Sequence, residues 1–133
     1  MRKKEFDVVA ALIKEDEKFL LCQRNEDDHY GNLWEFPGGT VEPNEPLKKA
    51  IEREIKEELD LEIAAGNLLT TIYDEDKSLK IKVFLFSCSI IGGLPKAVDC
   101  KDFGFFAIHK IEELNLAPAD KYIFQYLKKH IFN

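Results

Sequence analysis

Apolar residues run from Val8 to Ile13 and again from Phe19 to Cys22, with the polar stretch Lys14 to Lys18 between them, a pattern that predicts a β-hairpin. A polar loop, Asn25 to Asn32, then leads into Leu33-Trp34-Glu35-Phe36-Pro37-Gly38-Gly39. Further along, the period changes from strand to helix. Setting Ile51 at zero and advancing about 100° per residue, Leu47, Ala50, Ile51, Ile55 and Leu59 fall within an arc from about −100° to about +80°. That arc is the face that meets a core, and Lys49, Glu52, Arg53, Lys56 and Asp60 occupy the opposite side. Leu68 to Tyr73 and Leu79 to Ile91 read as two strands around the turn Asp74 to Lys77, and Gly92-Gly93 ends the second. Another strand is expected over Phe103 to Ile108. Pro118 suits a first helical turn, and Tyr122, Ile123, Tyr126, Leu127 and Ile131 follow at helical spacing, so a terminal helix starts there. Strands interleaved with two helices imply an α/β domain. With no repeat, low-complexity tract or linker, the 133 residues read as one folding unit, 1–133.

Composition narrows the partners. A formal charge of −6 argues against general nucleic-acid binding, which calls for a basic surface. No apolar run reaches membrane length, and the start MRKKEF lacks an apolar signal segment, so a cytoplasmic address is expected, with no membrane partner. Cys22, Cys88 and Cys100 show no CxxC spacing, and buried free thiols are the reading for them. His29, His109 and His130 are scattered and read as solvated surface residues.

The candidate chemistry lies on the first helix. Glu54, Glu58 and Glu57 project at about −60°, −20° and −120°, inside or beside the apolar arc rather than with the other charges. Carboxylates three and four residues apart repel, and partial burial adds a desolvation cost, so this row calls for a cation. Oxygen ligands of this kind suit Mg²⁺, with Mn²⁺ as a substitute.

Gly39, five residues, Glu45, seven residues, Arg53-Glu54-Ile55, one residue, Glu57-Glu58, one residue and apolar Leu61 together resemble the signature box of the Nudix hydrolases. Asp60 is the one departure, standing where the family usually has Gly; Asp tolerates the left-handed conformation better than most residues, so a small stability cost is expected and no loss of activity. The resemblance extends over nearly the whole chain and implies a Nudix-type mixed β-sheet sandwiched between helices.

It also implies roles. Glu54, Glu57 and Glu58, with the backbone carbonyl of Gly38, are expected to hold Mg²⁺ on a polyphosphate, and Glu54 is the first candidate for the base that takes the water proton. Arg53 is expected to pair with Glu45 and brace loop against helix, on the side away from the metal. Three further segments are similar to the triphosphate-hydrolysing branch that includes MutT and the CTP pyrophosphohydrolases. Arg24 either contacts the nucleotide or is a solvated strand end. Phe36 either packs near the base or belongs to the core, and Glu35 beside it binds or assists metal. Asp120 either accepts a hydrogen bond from an exocyclic amine, as on cytosine or adenine, or merely favours the start of the terminal helix. Asp99 falls near an additional acidic metal ligand of that branch. The expected activity is conversion of a nucleoside triphosphate to monophosphate and pyrophosphate for nucleotide-pool sanitising, on a CTP/dCTP-like or 8-oxo-dGTP substrate, by a monomer or weak homodimer. ADP-ribose or dinucleotide polyphosphate hydrolysis, or a silent nucleotide-binding module, are the alternatives.

Overall fold

A computed structural model describes residues 3–131. Its elements, in chain order, are β1 (Lys4–Glu15), β2 (Lys18–Gln23), β3 (Trp34–Glu35), β4 (Gly38–Thr40), α1 (Leu47–Leu59), β5 (Glu62–Glu75), β6 (Leu79–Gly92), β7 (Asp102–Ala107), α2 (Ile108–Ile111) and α3 (Pro118–His130). The expected hairpin is present but its turn is tighter than Lys14 to Lys18. Asp16 and Glu17 alone turn the chain, with φ of 49° and 63°. Positive φ at both central residues is the twist-matched two-residue turn of a hairpin, so the strands run on through Glu15 and Lys18.

The sheet is mixed, ordered β3-β2-β1-β6-β5, with β4 pairing β1 and β7 pairing β2. β1 runs parallel to β6 from Lys4↔Leu79 to Ile13↔Cys88. On its other edge β1 divides its pairing: Val8 to Ala10 meet β4, whereas β2 is met only at Lys14↔Phe19 and Glu15↔Lys18. The edge formed by β2, β3 and β7 therefore diverges from the one formed by β1 and β4, and a cleft opens between them.

Alternation along the strands fills two cores. Val9, Ala11, Ile13, Phe86 and Cys88 pack with Ile51, Ile55 and Leu59 of α1 on one face. Ala10, Leu12, Val83 and Leu85 pack with Ile123, Phe124 and Leu127 of α3 on the other. This is a mixed sheet between helices, in a single α/β domain. Tyr122 and Ile131, placed on the α3 stripe by spacing, stand exposed at its margins.

Several boundaries differ from the pattern-based reading. β5 begins at Glu62, not Leu68, because register shifts at Ala65/Leu68 and Leu68/Thr70 interrupt the alternation there. The carboxylate of Glu52 on α1 accepts the Ala65 N–H in that irregular stretch, at 3.1 Å. β3 and β4 are too short to carry a period, and the strand expected to Ile108 stops at Ala107, where α2 starts. No helix among the described residues is long and apolar enough to cross a membrane.

Candidate active site

Arg53 sits at the centre of the helix carboxylates, not on the far side where helical projection puts it. The projection fixes only the Cβ direction, and a long guanidinium side chain curls back over its own helix. Its Nε and Nη2 donate to Glu45 at 2.8 and 2.9 Å, and its Nη1 donates to Glu54 at 2.8 Å and Glu57 at 2.9 Å. Nη2 also reaches the Thr40 carbonyl at 3.1 Å. The cation that offsets the repulsion of Glu54 and Glu57 is therefore supplied by the chain itself. This two-pronged bond and the Glu42 N–H together hold the Glu45 carboxyl down at about 2. Burial pushes Glu54 up, and Arg53 opposes that shift.

Gly39 explains how Glu54 fits. β4 runs antiparallel to β1 with Gly39 opposite Val9, and a Cβ on Gly39 would collide with the Glu54 carboxylate. Gly38, opposite Ala10, is closed in by the Val9 carbonyl in the same way. The Gly-Gly pair thus lets the acid row of α1 approach the backbone of the strand beside it.

Glu58 is set apart from its neighbours. It packs beneath the row among Cys22, Cys100 and Glu35, and its Oε1 is buried with no hydrogen-bond partner. Burial, then the nearby Glu35 charge, pushes its carboxyl up to about 9. Cys22, Cys88 and Cys100 are buried and free. At the end of α1 the Glu58 carbonyl accepts the N–H groups of Val98 and Asp99 at 3.1 and 3.0 Å, which brings the Asp99 loop to the same end of the helix. The Asp99 side chain is exposed and accepts from Asn25 at 3.3 Å.

The cleft between the diverging strands has a volume of about 260 Å³. Arg24 and Glu35 line one wall, Gly38 and Gly39 the opposite wall, and Phe36 and Asp120 close it towards α3. Arg24 is no solvated strand end: its Nη1 donates to Glu35 and its Nε to the His29 carbonyl, both at 2.6 Å. Glu35 is pushed up by burial in spite of that pairing. Phe36 is 2% exposed and its ring belongs to the α3 core, although it borders the cleft. Asp120 stands in the first turn of α3, as a residue that favours the helix start would, but its carboxyl does not cap the helix, whose N-cap is Ala117 with no side-chain bond. Its Oδ1 instead accepts the Phe36 N–H at 2.8 Å, tying α3 to the segment before β4, and burial raises its carboxyl well above the usual range.

The sequence reading missed the far wall of this cleft. His29 and Tyr30 line it, and both reach Asp76 in the turn between β5 and β6. An Asp in a polar turn reads only as a turn former, so nothing local marks the contact.

The residues suit a hard divalent cation. Glu58 presents a buried oxygen without a donor, Gly39 leaves the space that the Glu54 carboxylate occupies, and all the acidic donors are oxygens. Among the described residues, no three His, Cys, Asp or Glu side chains already stand together as a cage, because Arg53 holds Glu54 and Glu57 while Glu58 lies beneath.

The model of the NUDIX domain matches residues 3–127, and the chain belongs to the Nudix family. It is therefore a hydrolase of nucleotide phosphoanhydride bonds. A CTP pyrophosphohydrolase of Escherichia coli strain K12 is 33% identical over 117 residues, covering 88% of this chain and 87% of that protein. An 8-oxo-dGTP diphosphatase of Proteus vulgaris is 33% identical over 88 residues, covering 64% of this chain and 79% of that protein. In fold, the chain matches the MutT protein from Methanosarcina mazei Go1 with a TM-score of 0.89 at 23% identity, covering 100% of this chain and 99% of that one.

Proposed function

We propose that this Nudix hydrolase is a Mg²⁺-dependent nucleoside triphosphate pyrophosphohydrolase that releases a nucleoside monophosphate and pyrophosphate. The observation that carries the reading is the cleft itself, which joins the Glu54 end of α1 and the Gly38-Gly39 backbone to a nucleoside-sized chamber closed by Arg24 and Asp120. A volume of about 260 Å³ suits one base and sugar better than two nucleosides, which favours a triphosphate over a dinucleotide polyphosphate. The relatives that act on CTP and on 8-oxo-dGTP support the same class.

Glu54, Glu57, Glu58 and the Gly38 carbonyl would hold the metal, with Asp99 close to the same end of α1. When bound, Mg²⁺ neutralises phosphate charge and acidifies coordinated water. Glu54, raised by burial and steadied by Arg53, is the group that takes the proton from attacking water. Glu45 keeps Arg53 in place and thereby orients Glu54. Arg24 offers its remaining donors to the nucleotide from the opposite wall.

Asp120 bears on base choice through its protonation. An ionised carboxylate only accepts, which suits the exocyclic amine of cytosine; a carboxyl that burial keeps protonated both donates and accepts, as an amide does. The protonated form of Asp120 favours the amide-like reading that goes with 8-oxo-dGTP, whereas the CTP relative covers more of this chain, 88% against 64%; on that coverage we place CTP or dCTP first and 8-oxo-dGTP second. A panel of canonical and oxidised triphosphates with Mg²⁺, products separated by chromatography, tests this. Pyrophosphate release with a cytosine preference is expected. Orthophosphate as the product, with no pyrophosphatase present, overturns the reaction, and a preference for ADP-ribose overturns the substrate class.

A further inference from the structure

The segment between β2 and β3 lines the cleft with Arg24, His29 and Tyr30, and the last two are fastened by one carboxylate. The Oδ1 of Asp76 holds its own turn, accepting the N–H groups of Ser78 and Leu79 at 2.8 Å each. Its Oδ2 points the other way. There the Tyr30 hydroxyl donates to it at 2.6 Å, and His29 Nε2 lies 3.2 Å away. The two rings are 4.1 Å apart, so they engage Asp76 as a unit.

From this fastening a continuous path leads into the site. The His29 carbonyl accepts Arg24 Nε at 2.6 Å, and Arg24 Nη1 donates to Glu35 at 2.6 Å. Tyr30 and Asn32 hold left-handed backbone, with φ of 58° and 67°, a conformation that non-glycine residues keep only when surrounding contacts enforce it. The base of the segment has other ties, from Gln23 Nε2 to the Asn32 carbonyl and from Lys101 to the Asn32 side chain. At the tip, the Tyr30 carbonyl accepts the Leu33 N–H at 3.2 Å, and Asp76 is what engages the Tyr30 and His29 side chains. Consistent with a strong bond, the Tyr30 hydroxyl is pushed up to about 12 and the Asp76 carboxyl is held well below its usual range.

We propose that Asp76, remote from the acid row, is a positioning residue for substrate binding, which holds Tyr30 and His29 across the cleft and through the His29 carbonyl fixes the direction of Arg24. The inference rests on the triphosphate reading given above. Because Arg24 meets the nucleotide and not the bond that breaks, its placement affects ground state and transition state alike and acts on KM.

The test compares Asp76→Asn, Tyr30→Phe and the double variant, with kcat and KM measured on the triphosphate that the wild type prefers and thermal unfolding measured alongside. Asp76→Asn keeps the oxygen used by the turn and puts a neutral amide nitrogen where Tyr30 and His29 engage a charged acceptor, which weakens that contact, while Tyr30→Phe removes the hydroxyl from it outright. Each single variant is expected to raise KM roughly 3- to 10-fold with kcat within about twofold. The double variant is expected to be no worse than the weaker single, since both break one contact. Unchanged KM, a fall in kcat alone, or single effects that multiply in the double variant would each overturn the inference. A loss of thermal stability with unchanged KM would also do so, by making the contact purely structural. If Asp76→Asn does not fold, Tyr30→Phe decides the matter alone. A wild type that hydrolyses no triphosphate removes the functional reading and the inference with it; an active wild type with insensitive variants removes the inference only.

Discussion

Glu58 makes the metal-free protein sensitive to pH in a direction opposite to that of an ordinary paired carboxylate. Its folded value of about 9 stands above the ordinary 4.5, so across that window the folded chain keeps a proton that the unfolded chain has released. Stability contributed this way is present below pH 4.5 and falls as pH rises towards 9. In the presence of chelator, Glu58→Gln is expected to melt higher than wild type at about pH 8 and to show a flatter slope between about pH 5 and about pH 9, and with Mg²⁺ supplied its turnover is expected to be lost. Glu35, Glu54 and Asp120 are raised too and leave part of the slope in place. An unchanged slope in thermal melts would contradict the raised, buried carboxyl. With Glu54 as the proposed base, Gly39→Ala is expected to lower kcat by at least about tenfold, because the new methyl displaces the Glu54 carboxylate and a shift of even about 1 Å in a reacting group is costly. At this scale the spacing of Glu54, Glu57 and Glu58 could be read directly, since helical geometry relates near neighbours. Arg53 could not be placed, because its side-chain path depends on Glu45 and Thr40 across the loop. The Tyr30–Asp76 contact joins residues far apart in the chain and leaves no local trace.

At the scale of elements, α1 shows how a signature survives a departure from its usual residue. Asp60 takes the left-handed cap with φ 52° and ψ 39°, and its N–H bonds the Lys56 carbonyl at 3.0 Å. Lys56 and Lys96 reach its carboxylate at 3.0 and 3.7 Å, exposed pairs of little value. Asp60→Ala is therefore expected to cost about 1 kcal/mol, and Asp60→Gly to be at least as stable as wild type, as urea titration will show. On the other face, Ile123 is 1% exposed in the α3 core, and Ile123→Ala should cost about 2 to 5 kcal/mol by the same measurement. Both helices were readable because thirteen residues of each hold one apolar stripe. β3, β4 and the first part of β5 were not: two strands are two and three residues long, and the third is interrupted by register shifts.

For the molecule as a whole, the split pairing of β1 matters most, since it creates the cleft and sets the carboxylates of one layer against the chamber beside the other. With Glu58 among the ligands, as proposed, metal binding would have to remove the Glu58 proton, and affinity would rise with pH. Mg²⁺ is expected to raise the melting temperature more at about pH 8 than at about pH 6, with stabilisation of about 2.7 kcal/mol at a free concentration 100 times Kd. Differential scanning measurements with and without chelator at the two pH values check it. The α/β class could be foreseen from alternating strands and helices, and the β1–β2 hairpin with it, whereas the full strand order could not, because the other partners of β1, β4 and β6, come from more distant parts of the chain.

That central strand has a consequence for how the chain reaches this state. β1 is made well before its parallel neighbour β6, which begins only at Leu79, after α1 and β5. During synthesis Val9, Ala11 and Ile13 wait beside an open edge until β6 arrives. Non-local parallel pairing of this kind is slow, on the order of milliseconds to seconds. Refolding yield should therefore fall as protein concentration rises, with the nascent β1 edge as the place where two chains first stick together.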